Sequence, residues 1–454
     1  MYDVIIIGSG VGGYPAAVYL ANHGYKVAVV EEHLIGGECT NYGCVPSKAL
    51  YYIAQSVNAL RKVGGETSID YRNVLGFIKE KIEKARQGIE YLLEKSGVEI
   101  IRGHARFMNP EEIKVGDKVY RANQYIVATG TRPRCLPGLS FDGVNILSNR
   151  HFFEMENLPE SIAIIGGGVI GVEIANMLLD LGVNVTIIEA LDHVLPFLDR
   201  DVALAIKRYL VSKKAVIYEK TLAKKIEVEG EHVRLLLSND KDLVVDKVLV
   251  SIGRIPNTDD LGIEKTGVKT DDKGFIELVN GYQTHNHRIY AVGDVVGGPL
   301  LAHKAIVESI LAAKQIMGEK VRRLDYHSVP QTIFSGLEYA GIGYTEKELR
   351  EKGVKYRKLR VPLSFLSAVR IKGPDYCFAK ILVGEDGKVL GIHIVSPLAS
   401  EVISAYVPLY LNKMKPEEIA EYPYPHLTVS ESLRDIGEAL LGESIHLVRL
   451  GRKR

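Results

Sequence analysis

Residues 3–31, DVIIIGSGVGGYPAAVYLANHGYKVAVVE, decide the fold because the chain carries the pattern twice. Residues 161–189, SIAIIGGGVIGVEIANMLLDLGVNVTIIE, repeat it at a fixed offset of 158 without a gap, and 11 of the 29 positions are identical. Each copy starts with a continuous apolar run (4–7 and 162–165), as a parallel strand buried on both faces requires. Each run enters G-x-G-x-x-G, at Gly8, Gly10 and Gly13 and again at Gly166, Gly168 and Gly171. In that spacing the first Gly permits a tight turn, the second admits a pyrophosphate to the backbone, and the third packs helix on strand. The anion then meets the free N–H groups of a helix N-terminus. Gly24 and Gly182 are placed to end the helices. Second strands at 27–30 and 185–188 close on Glu31 and Glu189, each placed to accept hydrogen bonds from ribose hydroxyls. After Glu189 no Lys or Arg appears until Arg200, so a 2′-phosphate would meet a carboxylate and no cation. The second site should therefore prefer NAD(H) to NADP(H).

The chain has 454 residues, about three domains' worth. A hydrophobic share of 46% with 25% charged residues excludes disorder. The net charge of +1 gives nucleic-acid binding no electrostatic support. Four Cys make no disulfide scaffold. Residues 4–25 lack Asp, Glu, Lys and Arg and could match a bilayer in length, but five Gly, Pro15 and Asn22 would break a membrane helix. Only Met1, Tyr2 and Asp3 precede the run, without the basic start of a signal peptide. The expectation is a cytoplasmic protein without membrane or nucleic-acid partners.

A second matched pair, YIVATGTRP (125–133) and VLVSIGRIP (248–256), reads as two apolar strands that each return the chain to its own dinucleotide sheet. The expected division is 1–150 for the first dinucleotide domain, 151–275 for the second, 276–325 for a return to the first, and 326–454 for a separate α+β domain. The fold class is thus α/β, with two Rossmann-like domains and a C-terminal α+β domain.

The chemistry is concentrated in GGECTNYGCVPSK, residues 36–48. Cys39 and Cys44 would lie roughly 8.7 Å apart between Cα atoms on an ideal helix. A disulfide needs less than about 7 Å, so bonding demands a distortion there, which Gly43 and Pro46 permit. In a reducing compartment such a pair is more readily catalytic than structural. Cys135 and Cys377 stand alone, which argues against a zinc site. A dithiol reaction also needs a proton acceptor, and PHLTVSE (425–431) offers His426 with Glu431. Two readings stand side by side at this point. Thr428 and Glu431 can form a capping box ahead of a helix with Val429, Leu433, Ile436 and Leu440 on one face. Alternatively, Glu431 fixes the imidazole tautomer of a base.

Together these residues resemble the flavin-dependent pyridine nucleotide–disulfide oxidoreductases, and among them the lipoamide dehydrogenases, over essentially the whole chain. The resemblance implies FAD at Gly8, Gly10, Gly13, Glu31, Gly37, Lys48, Thr129, Gly130, Gly293, Asp294 and Ala302. It implies NAD at Gly166, Gly168, Gly171, Glu173, Glu189 and Gly253. Cys39 would be the thiol that meets substrate and Cys44 the thiol against the flavin, with Lys48 near the flavin and paired with Glu173. His426 and Glu431 match the family's base and its partner. The C-terminal domain would form a homodimer in which the base reaches the partner subunit's disulfide. The implied activity is oxidation of dihydrolipoamide, carried on a lipoyl-bearing protein of a 2-oxoacid dehydrogenase or glycine cleavage complex, with electrons passing through the disulfide and FAD to NAD⁺. A reductase of another small disulfide and a non-catalytic flavoprotein redox sensor are the alternatives. Three positions depart from the family pattern: Leu427 follows the base where Pro is usual, Glu38 precedes Cys39 where Thr is usual, and Leu337 also replaces a Pro. Either the 426–427 bond is trans with an altered loop, or packing holds a strained one. Glu38 should point away from flavin phosphates or sit near the substrate entrance.

Overall fold

The computed structural model describes residues 1–65, 69–411 and 413–446. The chain divides into two compact units. The first comprises Met1–Ile53, Thr67–Leu158 and Val250–Tyr326; the second comprises Ala54–Glu66, Pro159–Leu249 and His327–Arg454.

The first unit is built on the first copy. Tyr2–Ile7 pairs in parallel with Val27–Glu31 on one side and Lys118–Val127 on the other, and Glu99–Arg102 extends the sheet beyond Val27–Glu31. The apolar run is continuous, yet its side chains still alternate between faces. Val4 and Ile6 pack with Ala16, Ala17, Leu20, Leu93 and Ala312. Ile5 and Ile7 pack with Phe107, Ile113, Tyr125 and Val127 on the opposite face. Each fully buried aliphatic side chain contributes roughly 1.5–3 kcal/mol, which is why every residue of the run is apolar. Ile289–Ala291 pairs in parallel with Lys118–Val127, so the chain does return to this sheet late in the sequence. Thr131–Pro133 and Arg254–Pro256, from the second matched pair, join each other as an antiparallel ribbon.

The second unit repeats the scheme. Ser161–Ile165 pairs in parallel with Asn184–Ile188, which pairs with Val216–Tyr218. The helix Val169–Leu181 ends on Gly182 in the left-handed conformation at φ 97°, as its position predicted. The C-terminal portion is an antiparallel sheet in the order Gln331–Ile333, Glu338–Gly343, Val389–Ser396, Phe378–Gly384 and Tyr356–Pro362, with helices such as Ala399–Tyr410 and Ser432–Leu441. Its alternating strand and helix signals are thus an α+β arrangement. Buried Lys380 reaches Asp199 at 2.7 Å, Asp201 at 2.6 Å and Glu346 at 3.1 Å, which ties this sheet to the helix Arg200–Ser212. The three carboxylates are gathered around an ammonium group that already neutralises part of their charge. Among the described residues no helix is long and apolar enough to cross a membrane.

Candidate active site

Cys39 and Cys44 form a disulfide with a Cα–Cα distance of 4.7 Å. The distortion that this needs is at Gly43. A short helix, Gly37–Tyr42, stops there at φ −129° and ψ −103°, and a new helix, Cys44–Lys62, begins at once. A Cβ at Gly43 would lie 3.2 Å from the Glu38 carbonyl oxygen and 3.4 Å from the Cys39 Cα, so the reversal is crowded. Pro46 sits in the first turn of the second helix, where its missing N–H costs nothing. The two sulfurs therefore have different surroundings. Cys44 opens a helix of 19 residues, whose N-terminal amides and dipole favour a thiolate. Lys48 follows four residues later, one turn along the same face. Cys39 belongs to a helix of only 6 residues.

The glycine turns stand next to this pair in the first unit. Gly10 bridges to Gly36. A Cβ on Gly37, whose φ is +61°, would come within 2.8 Å of the Gly10 Cα. Two glycine-lined backbones can approach only because neither carries a side chain. Glu31 spans the turn: Oε2 accepts from Ser9 N at 3.0 Å and Ser9 Oγ at 2.6 Å, and Oε1 accepts from His33 N at 2.9 Å. In the second unit, Glu189 Oε2 accepts from Gly167 N at 2.7 Å and Oε1 from Leu191 N at 2.8 Å. Glu173 Oε1 accepts from Phe334 N at 2.9 Å. Lys48 lies in the first unit and Glu173 in the second.

His426 and Glu431 also meet, in the second unit. His426 Nδ1 is 2.9 Å from Glu431 Oε1, and Glu431 Oε2 accepts from Thr428 N at 3.1 Å. One carboxylate thus serves both readings, an oxygen for the cap and an oxygen for the imidazole. The His426 side chain is 75% exposed and that of Glu431 only 9%. The His426–Leu427 peptide bond is cis.

Residues 2–309 match the pyridine nucleotide-disulphide oxidoreductase family, and residues 329–436 match its dimerisation domain. This chain belongs to the pyridine nucleotide-disulphide oxidoreductases. It is similar to the dihydrolipoyl dehydrogenase of Thermus scotoductus, with 35% identity over 98% of this chain and 99% of the relative. A dihydrolipoyl dehydrogenase of Bacillus subtilis also shares 35% identity, over 98% and 99% respectively. Among solved structures, LpdA from Mycobacterium tuberculosis superimposes with a TM-score of 0.90 at 27% identity, covering 97% of this chain and 100% of that one. The flavoprotein disulfide reductase RclA of Escherichia coli gives 0.86 at 25%, covering 96% and 99%.

The oxidoreductases of this family use FAD and NAD, and the residues present fit both. Asn41, in the redox segment, donates to Ile35 O at 3.0 Å and Gly37 O at 2.9 Å, while its Oδ1 is buried with no partner among the described residues. That acceptor suits a hydroxyl or N–H donor of a ligand, while the Gly8–Gly13 turn and the Gly36–Gly37 turn suit its phosphates. A Cβ on Gly168 would meet no atom within 4 Å, so a ligand can approach that backbone closely. The remaining expected flavin contacts are gathered in the first unit. Thr129 and Asn257 exchange hydrogen bonds of 2.8 Å, and Asn257 N donates to Gly130 O at 3.0 Å. Asp294 Oδ2 accepts from Thr131 Oγ1 at 3.0 Å. Burial pushes the Asp294 carboxyl up, against the pull of Arg254 and Lys304. Ala302 begins the helix Ala302–Ile316. Gly253, expected at the NAD site, falls in the first unit at φ +112°.

Two polar groups here escaped sequence reasoning. Lys304, fully buried, donates to Gly293 O at 2.9 Å and Gly297 O at 2.7 Å, while Glu308 accepts from Gly293 N at 2.9 Å. Their spacing of four on one helix was the available signal. The second group surrounds Glu38. Asn149 and Arg254 reach Oε1, each at 2.9 Å, and Arg150 reaches Oε2 at 2.7 Å. Nothing local to Glu38 announces these partners.

Proposed function

We propose that this chain is a dihydrolipoyl dehydrogenase, oxidising a dithiol to a disulfide while reducing NAD⁺. The observation that carries this reading is the Cys39–Cys44 disulfide, in a segment whose Gly36 bridges to Gly10 of the first glycine turn, on a chain aligned end to end with dihydrolipoyl dehydrogenases. FAD, when bound along that turn, carries the electron pair between the cysteines and the nicotinamide. The protein's own residues do the rest. One substrate thiol gives its proton to His426 and attacks Cys39 Sγ, which breaks the Cys39–Cys44 bond and leaves Cys44 as a thiolate. The second substrate thiol then attacks the mixed disulfide, releasing the product disulfide and the Cys39 thiol. The N-terminus of Cys44–Lys62 and the charge of Lys48 favour anionic sulfur at Cys44. With Glu431 Oε1 placed to accept from Nδ1 of His426, Nε2 is the ring nitrogen that serves as the base.

His426 lies in the dimerisation domain with its side chain largely exposed, which supports a homodimer where it serves the partner subunit's cysteines. Glu31, Gly8, Gly10, Gly13, Gly37, Thr129, Gly130, Gly293, Asp294 and Ala302 form the FAD contacts in this reading. Gly166, Gly168, Gly171, Glu173, Glu189 and Gly253 form the NAD contacts. The physiological dithiol is a lipoyl group on a protein of a 2-oxoacid dehydrogenase or glycine cleavage complex, in the cytoplasm. A second reading, reduction of another small disulfide, is favoured by the likeness to a flavoprotein disulfide reductase. Steady-state rates separate the two. Turnover with NAD⁺ and dihydrolipoamide should exceed turnover of NADPH with glutathione disulfide or coenzyme A disulfide, and the reverse order would overturn the proposal.

A further inference from the structure

Glu38 is the residue before Cys39, and at its carboxylate the Cys39 helix meets two other segments of the first unit, Asn149–Arg150 and Arg254. Asn149 Nδ2 donates to Glu38 Oε1 at 2.9 Å and to Tyr42 O at 2.9 Å, so one amide holds both ends of the short helix that carries Cys39. Arg150 donates to Oε2 through Nε at 2.8 Å, and its guanidinium lies 5.1 Å from the centre of the Tyr42 ring. Arg254 reaches Oε1 at 2.9 Å and also donates to Thr131 Oγ1 at 2.7 Å and Thr131 O at 2.8 Å. Thr131 in turn donates to Asp294 at 3.0 Å. The connection therefore runs from the Cys39 helix to Asp294, one of the expected flavin contacts.

The charges around this helix are Glu38, Arg150, Arg254 and Asp294. Tyr42 completes the shell, with His33 at 2.6 Å from its hydroxyl and Arg86 and Glu154 acting on it from further off. Burial pushes the Glu38 carboxyl up, but Arg254 and Arg150 outweigh it and hold it below its ordinary value, so it is ionised at neutral pH. Without it, two guanidinium groups would face the Cys39 helix with one anion fewer. Extra positive charge makes a neighbouring thiol more acidic.

We propose that Glu38 is a positioning residue for the redox pair, fastening the Cys39 helix to the Asp294 side of the unit and cancelling guanidinium charge against that helix. In the reduced enzyme this leaves Cys44, at the head of the long helix, as the more acidic sulfur. The inference rests on the reading of Cys39 as the substrate-facing thiol. The test uses holoenzyme reduced with one equivalent of NADH, alkylated with iodoacetamide from pH 5 to 9 and mapped by mass spectrometry. Flavin absorbance and melting temperature confirm that each variant remains folded and loaded. If the wild type is not labelled at Cys39, the reading of the site fails and this inference with it. If Cys39 is labelled, Glu38→Gln should move the midpoint of its alkylation to lower pH by about one unit, and Arg150→Gln should move it higher. The double variant, whose local charge equals that of the wild type, should return toward the wild-type midpoint. Midpoints that stay put in both single variants, or a double variant displaced further than either, would overturn the proposal.

Discussion

The two glycine turns are built to one plan but stand in different company. Glu31 receives the amides of Ser9 and His33; Glu189 receives those of Gly167 and Leu191, each partner 158 residues further on. The helices differ at Pro15, where the second copy has Glu173. Pro15 lacks the N–H that would close a turn, and the first helix is regular only over Tyr14–Asn22, whereas the second is regular over Val169–Leu181. The larger difference lies beyond the repeat. In the first unit the redox segment folds back so that Gly36 and Gly37 abut Gly10, while the backbone at Gly168 faces open space. One motif thus stands in two settings. A turn walled by a second glycine turn suits a resident group, and a turn left open suits a dinucleotide that comes and goes.

Removing sulfur from the walled side should have the largest effect. Cys44→Ser is expected to lower dihydrolipoamide turnover by about 10³-fold or more while flavin absorbance is retained, because the electron pair loses its route. Retained turnover would make the redox segment incidental to the difference between the copies. Next come the glycines. Gly37→Ala places a Cβ against Gly10 at a left-handed φ, and it should cost about 1–3 kcal/mol and release FAD on gel filtration. Gly168→Ala meets no protein atom, so it should leave the melting temperature within about 2 °C while raising KM for NAD⁺ roughly tenfold. If both behave alike, the contrast between walled and open turns is broken.

Nucleotide choice sharpens the same contrast. The wild type should prefer NAD⁺ to NADP⁺ by roughly a hundredfold in kcat/KM, and Glu189→Gln should narrow that ratio without changing FAD content. The smallest expected effect is a pH dependence. The carboxyl of Glu38 is held below its ordinary value against the pull of burial, so its contribution to stability is fully present above the unfolded value near 4.3 and is lost as pH falls through the folded one. Thermal melts of Glu38→Gln and wild type should therefore differ by about 1–2 kcal/mol at pH 6 and converge as pH falls through the folded value. A difference independent of pH would remove the carboxylate's charge from the account.

What was legible in the residues and what was not follows from distance along the chain. The paired strands could be read because a continuous apolar run ending in spaced glycines has few other uses. The break between Cys39 and Cys44 could be read from geometry alone, and Gly43 is where it occurs. Glu431 was read as either a cap or an orienting acid, and one of its oxygens accepts from Thr428 N while the other lies 2.9 Å from His426 Nδ1. The departure at Glu38 could be seen in the sequence, but not its partners, side chains 111 and 112 residues away. No local period or spacing encodes such a meeting, which exists only once the Asn149–Phe152 turn and the Arg254–Pro256 strand are folded against the redox helix.

The most direct measurement follows the electrons onto sulfur. Holoenzyme is treated anaerobically with one equivalent of NADH, quenched under denaturing conditions with an alkylating reagent, and its cysteines are read by mass spectrometry. Cys135 and Cys377 should be labelled with or without NADH, and Cys39 and Cys44 only after it. Consumption of NADH with Cys39 and Cys44 still joined would contradict the account.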